Sequence, residues 1–149
     1  MTAMPSVPLS LYIVVKDGAA AIEFYKDAFG AKELFRLTEP SGKIGHAELD
    51  FNGGLLMLAE EYPDFGALSP ATIGGSPVSL YLAVANTDEA VERTIKAGAT
   101  LTRPAKDEFY GERTAQVTDP FGYRWSLNQR IEEVSAAEMQ RRWDEMLKG

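Results

Sequence analysis

The sequence predicts an α+β fold made of two tandem βαβββ units and a closing C-terminal helix. Three observations predict it. A strand, a helix and three further strands are read twice, in the same order, along 149 residues. The letters repeat faintly: Leu11-Tyr12-Ile13-Val14-Val15 matches Leu80-Tyr81-Leu82-Ala83-Val84, and Phe29-Gly30-Ala31 matches Ala97-Gly98-Ala99. Self-similarity of this kind sets an architecture. Between the copies lies a Gly-, Pro- and Ser-rich stretch, 61–77, too long for a simple turn and long enough to join two units.

In the first copy, Leu9–Val15 reads as a strand. Successive strand residues alternate sides, so Leu9, Leu11, Ile13 and Val15 share one face, and Ser10, Tyr12 and Val14 the other. Lys16-Asp17-Gly18 breaks it, and Asp17 is placed to cap a helix over Ala19–Phe29 by accepting from a free N–H of the first turn. Ile22, Tyr25, Ala28 and Phe29 keep helical spacing, and Gly30 ends the helix. Ala31–Leu37 is the next strand, followed by a turn at Glu39-Pro40-Ser41-Gly42. Gly45–Phe51 sets Ala47, Leu49 and Phe51 against His46, Glu48 and Asp50. Asn52-Gly53 is a strong hairpin signal, because a tight I′ turn needs positive φ at both residues. Leu55–Ala59 is the returning strand.

The second copy opens with a strand at Val78–Val84 and a helix at Asp88–Ala97, capped near Asn86 or Thr87 and stopped by Gly98. Thr100–Pro104 reads as a short strand and Lys106–Gly111 as a loop. Arg113–Thr118 and Tyr123–Leu127 then form a hairpin across Asp119-Pro120-Phe121-Gly122, where Asp bonds its own backbone, Pro pre-sets φ and Gly completes the turn. Ser135-Ala136-Ala137-Glu138 is a capping box that opens the last helix. Its stripe of Met139, Trp143 and Met146 or Leu147 serves either packing on its own domain or pairing with a second subunit. The chain thus divides into unit one (9–60), a linker (61–77), unit two (78–128) and a C-terminal helix (136–148) within a single domain.

Composition narrows the function. Hydrophobic content of 45% with 25% charged residues is that of a globular chain with a real core. A net charge of −7 argues against nucleic acid, whose phosphates repel it. No apolar run is long enough to span a membrane, and the opening MTAMPSVP lacks the basic start and apolar core of a signal peptide, so a cytoplasmic setting is the default expectation. The absence of cysteine excludes disulfides, thiolate catalysis and Cys-zinc sites. There is one histidine, His46.

Two βαβββ units joined mid-chain and closing on Asp119-Pro120-Phe121-Gly122-Tyr123-Arg124-Trp125-Ser126-Leu127 resemble the vicinal oxygen chelate superfamily, which holds glyoxalase I, bleomycin-resistance proteins and extradiol dioxygenases. The resemblance runs from Leu9 to about Asn128. Shorter stretches are similar to its PhnB-like glyoxalase branch: Phe24–Ala31, Gly45–Leu49, Leu68–Thr72 with Gly74–Val78, Phe109-Tyr110-Gly111 with Arg113, and the helix after Glu132-Glu133-Val134-Ser135. The resemblance implies that the strands of each unit curl into a mixed sheet with helices outside, and that the two units enclose a shared cleft. It also implies a homodimer.

The helices need apolar partners, so Leu11, Ile13, Leu49, Leu80, Leu82, Val117, Trp125 and Leu127 are expected beneath them. The opposite faces then line the cleft with Ser10, Tyr12, His46, Glu48, Met57, Ser79, Tyr81, Thr114, Gln116, Arg124 and Ser126, a mixed lining of the kind small-molecule pockets use. Metal-dependent members carry ligands on the first and last strands of each unit, which the resemblance places at Ser10, Met57, Ser79 and Ser126. None is an imidazole or a carboxylate, so no metal, no other cofactor and no glyoxalase I activity are expected.

Two functions remain. One is a metal-free binding protein in which Tyr12, Tyr81 and Met57 stack on a small organic molecule while Arg124 and Gln116 orient its polar groups. The other is a metal-independent lyase or isomerase acting on a small carbonyl compound. There His46 and Glu48, on one strand face, are the catalytic acid and base, and Arg124 stabilises an anion. The expected partners are a small-molecule ligand and a second copy of the chain, with neither nucleic acid nor membrane.

Overall fold

The computed structural model describes residues 7–149. The protein is a mixed α+β fold of two four-stranded sheets with helices packed on them and a C-terminal helix. Backbone contacts divide the chain at Pro77/Val78, so the linker belongs with the first unit and the closing helix with the second.

The first unit runs β1 (Leu11–Val15), α1 (Gly18–Phe29), β2 (Lys32–Thr38), β3 (Ile44–Phe51) and β4 (Gly54–Glu60). Its sheet order is β1-β4-β3-β2, with β1 parallel to β4 and the other pairs antiparallel. Asp17 caps α1 by accepting from the Ala20 N–H at 3.0 Å, and Gly30 closes it. The Asn52-Gly53 turn has positive φ at both residues, 56° and 105°, as a I′ hairpin requires. α1 buries Ile22, Phe24, Tyr25 and Ala28 and packs on β2, β3 and β4; Ala47, Leu49, Leu56 and Leu58 of that sheet are buried, as are Ile13 and Val15 of β1. The first strand begins later than Leu9. Its register, Leu11 opposite Leu56, would place Leu9 opposite Gly54, the first residue of β4 beside the hairpin turn. Ser10 therefore sits just ahead of the strand, and Leu11, first residue of an edge strand, is 41% exposed rather than covered.

The linker is partly structured. It holds a 3₁₀ turn (Pro63–Phe65) and the short α2 (Pro70–Ile73). Glu61 accepts from the Ser69 N–H at 2.7 Å, and bonds from Thr72 and Ser69 hold its carboxyl down to about 2, so it stays ionised through neutral and mildly acid pH. Tyr62 donates to Glu39, and the Lys43 ammonium sits 3.7 Å from the centre of its ring. The start of the linker is thereby tied to the β2–β3 turn.

The second unit repeats the plan with β5 (Ser79–Ala83), α3 (Thr87–Ala97), β6 (Thr100–Asp107), β7 (Glu112–Thr118) and β8 (Arg124–Arg130), in sheet order β5-β8-β7-β6. Asn86 caps α3 through the Glu89 N–H. β6 continues past Pro104, where a loop is expected from the sequence. Proline removes one ladder donor, but β6 is an edge strand whose pairing is already irregular between Leu101 and Lys106, and an edge tolerates that loss. Leu80, Ala115, Val117, Trp125 and Leu127 are buried, and Leu82 is half-buried.

The last helix, α4 (Ala136–Lys148), is capped by Ser135 through the Glu138 N–H at 3.2 Å. The Glu138 carboxylate is bound by Arg141 and Arg142, which hold it down to about 2. Arg142 also pairs with Glu132 through two bonds of 2.9 Å and donates to the Phe109 carbonyl, and Trp143 meets the Phe109 ring at 5.4 Å. The tail is thus fastened to the β6–β7 turn, yet Trp143, Met146 and Leu147 stay largely exposed. Among the described residues no helix is long and apolar enough to cross a membrane.

Candidate functional site

In each unit one sheet face carries the helix and the other carries the residues expected to bind. In the first unit, register aligns Tyr12 of β1 with Met57 of β4, Met57 with Glu48 of β3, and Glu48 with Phe35 of β2. These four therefore form one row across the whole sheet, on the face away from α1. His46 lies two residues from Glu48 on the same face of β3.

Side chains in this row are bonded to one another. The Tyr12 hydroxyl lies 2.9 Å from His46 Nδ1, and His46 Nε2 lies 2.8 Å from Glu48 Oε2. An ionised carboxylate only accepts. In the neutral tautomer with its proton on Nε2, the ring donates to Glu48 and its Nδ1 lone pair accepts from Tyr12. The imidazole is flanked by the Tyr12 ring at 5.5 Å and the Phe35 ring at 5.7 Å. Partial burial first, and then the Glu48 charge, push the Tyr12 phenol above its ordinary value.

Phe35 is absent from the sequence-derived lining. A bulge between Glu33 and Phe35 puts one extra residue into β2, which reverses the alternation counted from the start of the strand. Its signal was the single aromatic residue of the strand.

The second unit places its predicted residues at equivalent positions. Ile13–Leu58–Ala47 in one sheet corresponds to Leu82–Leu127–Ala115 in the other. Tyr81 then stands where Tyr12 does, Thr114 where His46 does, Gln116 where Glu48 does, and Ser126 where Met57 does. Here the face is one of hydroxyls and amides. Tyr81 donates to Glu112, and the Ser126 hydroxyl donates to Asn128 at 2.8 Å. Ser79 pairs with Arg124 across β5 and β8. Thr114 is only 1% exposed, and its hydroxyl has no hydrogen-bond partner among the described residues. Only the first unit carries an acid–base pair at these positions.

The four positions that the resemblance assigns to metal ligands carry three neutral hydroxyls and a thioether. Ser10, Met57, Ser79 and Ser126 do not fit a divalent cation, which asks for imidazole, carboxylate or thiolate. Among the described residues no three of His, Cys, Asp and Glu gather in a group that could hold one.

Fold and faces together define a tandem βαβββ protein with a bonded Tyr–His–Glu set on one face of its first sheet and hydroxyls and amides at the equivalent positions of its second. The chain belongs to the Glyoxalase/Bleomycin resistance protein/Dioxygenase superfamily, whose family model matches residues 8–127. An uncharacterized protein of Mycobacterium bovis, Mb0911c, is 42% identical over 135 residues, which cover 89% of each chain. The solved structure of the Arabidopsis thaliana gene product At5g48480 superposes with a TM-score of 0.66 at 26% identity, over 83% of this chain and 98% of that one. TioX from Micromonospora sp. ML1 superposes with a TM-score of 0.64 at 25% identity, over 87% of this chain and all of its own, 100%.

Proposed function

We propose that this protein is a metal-free member of the PhnB-like glyoxalase branch that binds a small organic molecule on the uncovered sheet face of its first unit. The observation that carries this reading is the row of Tyr12, Met57, Glu48 and Phe35 with His46 beside it. It is an apolar and aromatic platform with a few fixed polar atoms, on the face opposite the one that α1 packs. Small-molecule sites have that composition. The second unit offers a separate polar set in Ser79, Tyr81, Gln116, Arg124 and Ser126 for hydrogen-bonding groups of a ligand.

Chelator-treated protein screened by thermal shift against a panel of small carbonyl and aromatic compounds tests the reading. A compound that raises the melting temperature should lose roughly tenfold in affinity with Tyr12→Ala or Met57→Ala, the size expected for part of one buried side chain. A divalent cation that binds stoichiometrically and is required for ligand binding would overturn it.

A second reading, metal-independent acid–base chemistry on a small carbonyl compound, is favoured by the bonded chain Tyr12–His46–Glu48. We also propose that two copies pair through the exposed Trp143–Leu147 stripe of α4, supported by its leaving Trp143, Met146 and Leu147 uncovered.

A further inference from the structure

Resting on the acid–base reading of the first unit, we propose that Tyr12 is the group that meets the ligand. Tyr12, His46 and Glu48 then form a relay that takes a proton from the carbon next to a carbonyl group and returns it.

Exposure decreases along the chain. Tyr12 is 50% exposed, while the side chains of His46 and Glu48 are 23% and 15% exposed. The outer end of the chain is therefore the phenol, and both nitrogens of the imidazole are already engaged, one by Tyr12 and one by Glu48. Of the three side chains the phenol offers a ligand the most surface, and its oxygen keeps a lone pair for a ligand to meet. With its own proton directed at Nδ1, the phenol turns lone pairs outward, as a proton acceptor must.

The step balances without a co-reactant. A C–H proton of the ligand passes to Tyr12 Oη as the phenol proton passes to His46 Nδ1. The C–H electron pair stays on the ligand as an enolate. His46 becomes an imidazolium whose Nε2–H keeps its bond to the Glu48 carboxylate. Once the relay protons have exchanged with solvent, reversal delivers a solvent proton to the same carbon, which gives exchange, or to a neighbouring one, which gives isomerisation. A free phenolate is never formed, in keeping with a phenol whose ionisation is disfavoured. Tyr12 is the catalytic residue, His46 stores the proton, and Glu48 is a positioning residue that acts through His46. The second unit cannot run the same step, because Thr114 and Gln116 replace the base and its partner and Tyr81 is bonded to Glu112.

The probe is 1-hydroxypropan-2-one in deuterated water, followed by proton NMR. Loss of its α-proton signals reads exchange, and line broadening of the same compound reads binding. Wild-type protein should exchange those protons roughly a hundredfold faster than an equal concentration of free imidazole, the gain expected of positioned acid–base groups. Tyr12→Phe and His46→Gln should fall to the imidazole rate while still broadening the probe. Glu48→Gln should lose most of the rate and change the His46 ring nitrogen signals, and Glu48→Asp should restore part of both. Melting temperatures of all variants establish that they are folded. Broadening without exchange by the wild type, or a Tyr12→Phe variant as fast as the wild type, overturns the relay and leaves the binding reading standing. Neither broadening nor exchange overturns both for small carbonyl compounds.

Discussion

Asp119→Ala should lower the melting temperature by about 10 °C, the largest loss expected from a single polar residue in this chain. Asp119 is 4% exposed at the head of the β7–β8 hairpin. Its Oδ1 accepts from the Phe121 N–H at 2.8 Å and the Tyr123 N–H at 3.0 Å, and its Oδ2 accepts from Trp125 Nε1 at 2.9 Å. One carboxylate thus shapes the turn and anchors the indole that packs beneath the helix face of the second sheet. Alanine leaves those donors without it, the indole N–H at a buried position among them. Bonds to a charged group are worth roughly 1.5–3 kcal/mol each, and since losses within one cluster do not add, about 3–4 kcal/mol is expected overall. Asp119→Asn should recover part of this. Its oxygen still serves the turn, but its NH₂ faces the indole N–H, so donor meets donor. Thermal unfolding of the two variants beside the wild type checks the order. An alanine variant as stable as the asparagine one would show that the bonds from Oδ1 to the turn contribute nothing beyond the bond to Trp125.

Gly111→Ala should destabilise the second unit by about 3 kcal/mol and release the C-terminal tail, because two separate costs meet at one atom. Gly111 has a φ of 90°, which L residues adopt at a cost, and its carbonyl accepts from the N–H groups of Ile131 and Glu132. A Cβ there would lie 2.2 Å from the Glu132 carbonyl oxygen and 3.0 Å from Val134 Cγ2. The nearer atom is backbone, so the tail must move rather than a side chain. Moving it disturbs Glu132, and with it the bonds by which Arg142 holds α4 against the Phe109 carbonyl. Limited proteolysis should cut the variant after residue 130 while the wild type resists. If α4 carries the pairing surface, light scattering should also show the variant falling from a dimeric to a monomeric mass. A variant with wild-type stability and an intact tail would contradict the latch.

The repeat was legible because alternation and turn chemistry are local. Asp17, Asn52-Gly53 and Asp119 each act within a few residues of themselves, and each does in the structure what its position implies. Alternation also placed Tyr12, His46 and Glu48 on one face. What it could not supply is register. The Tyr12–His46 bond joins residues 34 apart in sequence, and it depends on how β1, β4 and β3 slide against one another. Phe35 was hidden by an extra residue in β2, and the continuation of β6 by a proline that an edge strand tolerates. The fastenings of the linker and tail were also out of reach. Tyr62 on Glu39 and Lys43, and Arg142 on Glu132, Glu138 and Phe109, are long side chains whose partners are set by tertiary placement.

The first unit presents an ordered chain from an exposed phenol through one imidazole to a more covered carboxylate. The most direct measurement is a nitrogen–proton NMR spectrum of protein labelled with ¹⁵N-histidine. With a single histidine in the chain, one imidazole is observed and no assignment is needed. The spectrum should show one neutral tautomer with the proton on Nε2, an Nδ1 signal displaced by its bond from Tyr12, and loss of that displacement in Tyr12→Phe. An imidazole protonated on Nδ1, or one averaging between tautomers as free histidine does and indifferent to Tyr12→Phe, would contradict it.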